Sequence, residues 1–422
     1  MIVKNESARI RQTLESVLPY IDSWCIVDTG STDDTVEIIK SCLSNVPGHL
    51  IRHPIITYLD TDCIDYAATR NMALEYASNN STFIFLMSGD EILQNGESLR
   101  TFCEEAKEKK DYDAHYVQLL GSSRGSYDQI RLLRSNANLR YTFPTHEYIF
   151  NAKNIGQRIL NVSINSFSEP YEKSCERWER DIKVLYRYMQ NVPGNYLTKE
   201  SEDSNIGGGR RLHGWRQNKT SFPFKEALSE KPEVSKETTH LAQNYDSGDR
   251  NRAIFYLAQS YECLGNNDLA FEYYEKRSKM GGWSEEVYEA KKRMAQCADR
   301  LKIVSSKKFS WEEVKEMYLE TYSFRPERLE AIYEIAKHYY DEKNFSLCYL
   351  YALIGLDCKA PEQDVLFVDR EVYTWKLADL VSASAWNIGK KEIGLKAAKK
   401  AYRANSEDKR LQENYYFYRD NS

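Results

Sequence analysis

Two short apolar runs in this chain end in acids. Phe83-Ile-Phe-Leu-Met87 stops at Ser88-Gly89 and delivers Asp90 and Glu91, and Trp24-Cys-Ile-Val27 runs straight into Asp28. A buried strand that ends in a carboxylate places it at the carboxyl edge of a sheet, where open α/β folds bind ligands. There Asp90 could ligate Mg2+ or Mn2+ bridging a nucleotide diphosphate, because hard oxygen ligands suit such a cation and the cation offsets charge on a departing diphosphate. The alternative is that Asp90 and Glu91 merely cap the next turn. Asp28 could accept a hydrogen bond from a nucleobase N–H, or simply begin its loop as an Asx-turn. Arg70 sits among residues patterned for burial (Ala67, Ala68, Met72, Ala73, Leu74). A guanidinium there suits a diphosphate; a surface ion pair is the bland alternative. His146-Glu147 follows Phe143-Pro144-Thr145. Glu147 is a candidate general base for an acceptor hydroxyl, and His146 could touch metal or phosphate. Neighbours in a strand point to opposite faces, so both serve one site only if the backbone bends. A lone histidine is more often simply packed. Gly207-Gly-Gly209 lacks both a preceding strand and a following Lys-Ser/Thr, so it reads as a flexible turn rather than a phosphate loop.

The elements that must carry these groups alternate between strand and helix from residue 1 to about 165. Met1–Val3 reads as the last half of a strand: either a stub, or a strand whose first half precedes this start. Ile10, Leu14, Val17 and Leu18 share one helical face; Val36, Ile39, Lys40 and Leu43 give a second, weaker helix. That second helix is expected to start at a Ser31 or Thr32 cap, with Asp33 and Asp34 in its first turn. Asp65–Ala77 and Ser98–Lys109 are expected helices, and Phe83–Met87 a buried strand. Tyr116–Leu120, Ile130–Leu133 and Ile159–Ile164 read as strands of a more mixed part of the same sheet. The alternation argues for a three-layer α/β domain over residues 1–168. Residues 169–250 divide into a helical bridge, Glu172–Met189, and an irregular excursion rich in Gly, Pro and charge. From 251 to 422 the pattern is helical and repeats. Ile254, Leu257, Ala258, Tyr261, Ala270 and Tyr274 fall at the spacing of a tetratricopeptide helix pair. Ile332, Ile335, Ala336, Tyr339 and Cys348 reproduce it, and Ala378, Val381, Ala385, Gly394, Ala398 and Ala401 give a looser copy. A degenerate pair is expected around Val287–Tyr322. Small residues at Ala270, Cys348 and Gly394 suit helices that cross closely.

Composition narrows the partners. The chain has 422 residues, 41% of them hydrophobic, and a net charge of −5, so packed cores are affordable and nothing favours nucleic acid. Its 31 tyrosines fit helical repeats and sugar-binding walls equally well. The 9 cysteines form no Cys-x-x-Cys pair, which speaks against a zinc site or disulfide framework and for a reducing, cytoplasmic setting (host cytoplasm if the source is viral). No apolar run approaches the roughly 18 residues of a membrane span, and no signal peptide is read ahead of Lys4. The triplets Asn80-Ser-Thr82 and Asn161-Val-Ser163 are then chance matches to a glycosylation acceptor.

Taken in order, Met1-Ile-Val-Lys-Asn-Glu6, Ile26-Val-Asp-Thr-Gly-Ser-Thr-Asp-Asp-Thr35, Arg70-Asn-Met-Ala-Leu74 and Leu86-Met-Ser-Gly-Asp-Glu91 resemble family 2 glycosyltransferases of the GT-A fold. Arg252-Ala-Ile-Phe-Tyr-Leu-Ala-Gln-Ser-Tyr261, Gly281-Gly-Trp283 and Arg325-Pro-Glu-Arg-Leu-Glu-Ala331 resemble a bacterial and giant-virus branch that fuses this domain to tetratricopeptide repeats. The resemblance implies a Rossmann-like GT-A domain followed by an all-α solenoid, and inverting transfer from a nucleoside-diphosphate sugar, UDP being the commonest donor base. It implies nucleobase contact at Asp28, diphosphate contact at Arg70 and a direct metal ligand at Asp90; Val3, Asn5, Glu6, Ser88 and Gly89 are taken as further donor contacts, Glu147 as the base, and His146 as a further catalytic or metal-binding candidate. The chain departs from the pattern at Ser88, where the family's first motif acid stands, and in its short first strand. A glycan, protein or lipid-linked acceptor is expected, with the repeats available to hold it; oligomeric state stays open. The competing reading is a non-catalytic repeat scaffold with a degenerate transferase domain. A nucleotidyltransferase is disfavoured, because no Gly-rich, Lys-containing loop follows the first strand.

Overall fold

The structure, a computed structural model, describes residues 1–57, 64–78, 81–109, 111–122, 125–150, 152–167, 171–191, 247–304 and 309–421. Most of the expected 191–250 excursion, with Gly207–Gly209, lies outside these residues, as does Asn80.

Among the described residues the N-terminal domain holds two larger hydrogen-bonded sheets and a two-stranded ribbon where the sequence suggests one sheet. β1 (Ile2–Val3), β2 (Trp24–Asp28) and β3 (Gly48–Arg52) are parallel and lie in that order, with Val3 opposite Asp28 and Asp28 opposite Arg52. The second, mixed sheet runs β4 (Phe83–Phe85), β7 (Gly125–Arg134), β6 (Ala114–Ser122), β11 (Ser163–Ser166) and β5 (Glu91–Gln94), with β10 (Ile155–Gly156) also beside β6. β1 contributes two residues and pairs with β2; among the described residues no pairing joins it to β4. A cavity of about 660 Å³ lies between those edges, lined by Trp24, Cys25, Phe83 and Ile84 among others.

Helices cover both faces of the mixed sheet. Successive residues of a strand point to opposite sides, so Leu132 packs with Val17 of α1 (Ile10–Val17) and Leu99 of α4 (Gly96–Ala106), while Leu133 packs with Leu74 of α3 (Tyr66–Ala77). Val3 and Ile26 meet Ile10, Leu14 and Ile39, joining α1 and α2 (Thr35–Cys42) to the parallel sheet. The expected acidic first turn of α2 is corrected. The helix begins at Thr35, and the Asp33 carboxylate instead accepts the N–H groups of Ser7 (3.1 Å) and Thr35 (3.1 Å), tying the β1 and β2 loops together. β8 (Arg140–Thr142) and β9 (Tyr148–Phe150) form an antiparallel ribbon with residues 143–147 at its tip.

The rest is helical. The bridge is α5 (Tyr171–Asn191), and it packs on α6 (Ser247–Cys263). Paired helices follow: α6 with α7 (Asn267–Ser278), α8 (Ser284–Val304) with α9 (Trp311–Phe324), α10 (Glu330–Asp341) with α11 (Phe345–Ile354), and, after a π-helical turn at Val372–Lys376, α12 (Leu377–Asn387) with α13 (Lys391–Ala404), closed by α14 (Lys409–Asn421). Ala270 and Cys348 are fully buried at helix contacts, and a Cβ on Gly394 would collide with the Tyr418 hydroxyl. The chain between α11 and α12 folds back towards the N-terminal domain. Buried Arg328 donates to Asp364 (3.2 Å) and to the Phe367 carbonyl (3.2 Å), and Phe367 lies between Phe255 and Tyr127 of β7.

Candidate functional site

The carboxyl ends of β1 and β2 are knitted into one rim. Asn5 adopts φ 55°, its N–H donates to Ser31 Oγ (2.9 Å), and its side-chain oxygen accepts the Thr32 N–H (2.8 Å). Glu6 N–H donates to Thr35 Oγ1 (2.8 Å). Asp28 is buried; one oxygen accepts the Ser31 N–H (3.0 Å) and the other lies 3.9 Å from Arg52 Nε. Asp28 thus shapes its own loop while standing at the carboxyl end of β2.

The Ser88-Gly89-Asp90 turn abuts this rim. A Cβ added at Gly89 would stand 3.1 Å from both Glu6 Cγ and Val3 Cγ1, so glycine lets the turn approach β1. The Gly89 carbonyl accepts the Thr13 hydroxyl (3.0 Å), and the Asp90 carbonyl accepts the Phe167 N–H (3.0 Å). Glu91 explains why the turn is held. Its buried carboxylate binds the Arg131 guanidinium through two bonds, 2.6 and 3.1 Å, and also accepts the Ser88 N–H (2.8 Å). Glu91 is therefore a structural clamp and the first residue of β5, not a second metal-facing acid. Asp90, between Gly89 and Glu91 in this turn, is half-buried.

Arg70 and Glu147 come together across the crevice. Arg70 Nε donates to Glu147 Oε1, and Nη2 lies 3.4 Å from Ser88 Oγ. Burial works against the Arg70 charge, but Glu147 outweighs it and holds the guanidinium proton more firmly than usual. Asn71, the next residue on α3, fixes the partner ribbon: its amide donates to the Tyr141 carbonyl (2.8 Å) and accepts the Tyr141 N–H (2.7 Å). The Pro144 carbonyl accepts the Tyr66 N–H (2.8 Å), tethering the ribbon tip to the start of α3.

The backbone does bend at this tip, but it separates the adjacent pair rather than joining it. Phe143 and His146 take φ of 78° and 55°, conformations that L-residues adopt at a cost. Glu147 faces Arg70. The His146 ring is stacked on Tyr256 of α6 (centroids 3.9 Å apart, 8° between planes), and its Nε2 is 3.6 Å from Asp181 Oδ2 of α5. Thr145 Oγ1 donates to the other Asp181 oxygen (2.8 Å). The structure thus places Val3, Asn5, Glu6, Asp28, Arg70, Ser88, Gly89, Asp90 and Glu147 around one edge, with His146 turned towards the helical half. Among the described residues no group of three or more His, Cys, Asp or Glu side chains converges as a metal site.

Asp181 carries a pH signature. Burial pushes its carboxyl up to about 6, against the Thr145 bond and the nearby Arg180 and Arg177. The unfolded carboxyl loses its proton near 3.8 and the folded one near about 6, so the native state holds the extra proton between those values. Stability contributed here is full below the lower value and is lost as pH rises through the upper one. Asp181→Asn should flatten that decline, which thermal unfolding across the same window will register; an unchanged slope would assign the titration elsewhere.

Sequence reasoning missed Arg131, Asp181 and Tyr256. Arg131, flanked by Ile130 and Leu132 in an apolar run, carried the one readable signal: an arginine at a strand position that must be buried. The other two act through contacts remote in sequence.

Residues 1–164 match the model of the family Glycosyl transferase family 2. The chain is 26% identical over 227 residues to the SPbeta prophage-derived glycosyltransferase SunS of Bacillus subtilis (strain 168), and equally to glycosyltransferase SunS of Bacillus phage SPbeta. The alignment covers 50% of this chain and 48% of each relative, so the chain spans about half their length. Solved structures similar to the helical half include a thermophilic TPR protein of Thermus thermophilus (11% identity, TM-score 0.28, 41% of this chain and 82% of that one) and BtubC from P. vanneervenii (15%, 0.32, 57% and 92%). Scores this low align little, and the repeat assignment stands on the paired helices themselves. Residues 1–164 thus resemble a family 2 glycosyl transferase domain, and the paired helices that follow are tetratricopeptide-like in arrangement.

Proposed function

We propose that the chain is an inverting glycosyltransferase that moves a sugar from a nucleoside-diphosphate sugar, a UDP-sugar by preference, to an acceptor hydroxyl. The observation that supports this best is the meeting of Arg70, Ser88 and Glu147 beside Asp90, at the edge where the β1 and β2 loops end. In this reading Asp28, with Val3, Asn5 and Glu6, receives the nucleoside, and Ser88-Gly89 lies along the donor. Glu147 takes the proton of the acceptor oxygen as that oxygen attacks the anomeric carbon, and the electron pair of the breaking C–O bond leaves with the diphosphate on the opposite face. Arg70 receives the charge that develops there. Donor phosphate and Glu147 compete for the same guanidinium, so donor binding would release the carboxylate towards the acceptor.

The residues present fit a cation that arrives with the donor. Asp90 supplies one hard oxygen, and Mg2+ sites commonly combine one or two carboxylates with substrate phosphate and water. Mn2+ or Mg2+ held by Asp90 would add Lewis-acid stabilisation of the leaving diphosphate. Ser88 in place of an acid makes the protein's share of that site small. Among the described residues no helix is long and apolar enough to cross a membrane, and in this reading the repeats would hold a glycan, protein or lipid-linked acceptor.

Donor turnover with Mn2+ tests the reading. Asp90→Ala should lower kcat/KM on the order of a hundredfold, the usual cost of losing one group that stabilises transition-state charge. Unchanged turnover in that variant would remove the metal assignment. Ser88 also favours one rival, a scaffold with a silent transferase domain. Absence of UDP and GDP binding by calorimetry, with or without metal, would favour the scaffold.

A further inference from the structure

We propose that Arg252, on the first repeat helix α6, is a positioning residue for Glu147. The inference rests on the reading of Glu147 as the base. Arg252 donates from Nη2 (2.9 Å) and Nε (3.3 Å) to the carbonyl of His146. That carbonyl belongs to the peptide whose nitrogen is Glu147, so the guanidinium orients a rigid plane one bond from the Glu147 Cα. The orientation needs support, because His146 sits at φ 55°, where an L-residue persists only when its surroundings over-determine it.

Those surroundings come from α5 and α6. The His146 ring is stacked on Tyr256, one turn along from Arg252. Tyr148, just past Glu147, donates its hydroxyl to Asp249 of α6 (2.7 Å), which also accepts the Tyr188 hydroxyl of α5 (3.2 Å). The Arg252 guanidinium lies 4.5 Å from the Tyr148 ring and 4.8 Å from that of Tyr256, close enough for cation–π attraction. Glu147 is thus suspended between a carbonyl clamped at 146 and a phenol clamped at 148, both held by the helical half. On its open side it meets Arg70. The helix that opens the repeat array fixes the direction in which the catalytic carboxylate points.

The test uses the full chain carrying Arg252→Gln or Arg252→Lys, with UDP-glucose, UDP-N-acetylglucosamine and GDP-mannose as probes in the presence of Mn2+. Arg252→Gln should lower kcat on the order of a hundredfold, the scale of a misplaced catalytic group, with donor KM unchanged. Lysine, which keeps the charge and a single donor, should recover part of the loss. Amide hydrogen exchange provides the readout independent of turnover: the 143–148 segment should exchange faster in Arg252→Gln, while α3 does not. Retained kcat, or unaltered exchange over 143–148, overturns the proposal. If the unsubstituted chain turns over none of the probes, the enzymatic reading fails on its own account and exchange alone decides the positioning. Should Arg252→Gln not fold, Arg252→Lys carries the same comparison.

Discussion

Glu147→Gln should abolish most sugar transfer while leaving the donor site intact. Loss of a positioned general base costs about 10²- to 10⁴-fold in rate, and the whole of that loss should fall on kcat. Glutamine keeps the shape and can still accept a hydrogen bond from Arg70, so the ribbon tip stays in place. It removes the charge that holds the guanidinium, so the donor diphosphate meets a less occupied arginine and nucleotide affinity should hold or rise. Steady-state kinetics paired with calorimetry on UDP separate the two effects. A variant that turns over donor within a few-fold of the parent would show that the proton leaves by another route.

Glu91→Ala is expected to have the largest effect on stability. The Arg131 side chain is 9% exposed and its guanidinium has two bonds to Glu91. Removing one partner of a buried pair costs about 3–5 kcal/mol, because the remaining charge stays buried without compensation. Replacing both residues by methionine should cost clearly less than the single change, since well-packed apolar side chains tolerate such a site. Urea unfolding of the N-terminal domain, followed by hydrogen exchange in β5 and β7, checks both variants. A loss of only about 0.5 kcal/mol, the scale of an ordinary surface change, would mean the pair is not the anchor described. The single variant also frees the Ser88 N–H, so the Asp90 turn should lose order along with the sheet.

Much of the placement of these residues could be read before any fold was known, and the reason is local. Asp28 and Asp90 each close an apolar strand, and that pattern alone places them at a sheet edge. The α/β alternation and the paired helices likewise follow from short-range periodicity. What escaped reading depends on partners far along the chain. Glu91 looks like a second site acid until Arg131, 40 residues later, claims it. Asp33 and Asp34 look like helix acids until the β1 loop offers the Ser7 N–H to Asp33. The 143–147 segment reads as strand-like because nothing in Phe-Pro-Thr-His-Glu announces left-handed φ at both Phe143 and His146. That bend is imposed by Tyr66, Asp181, Arg252 and Tyr256. The single sheet expected from the alternation is divided in the structure, with β1 paired to β2 and β4 to β7, which is a matter of pairing and not of pattern.

The contacts that Thr145, His146 and Tyr148 make with α5 and α6 bear on how such a chain can be taken apart or have arisen. The family model matches up to residue 164, yet several groups that hold the 143–148 tip, among them Asp181, Arg252 and Tyr256, lie beyond it. A cut at that boundary would deliver a fragment whose most important loop had lost its far wall. By the same logic, exchanging the repeats for an unrelated tail would not be a neutral cassette swap. If Glu147 is the base proposed above, the two parts should diversify together, since changes in the helical tail reach the loop that carries it.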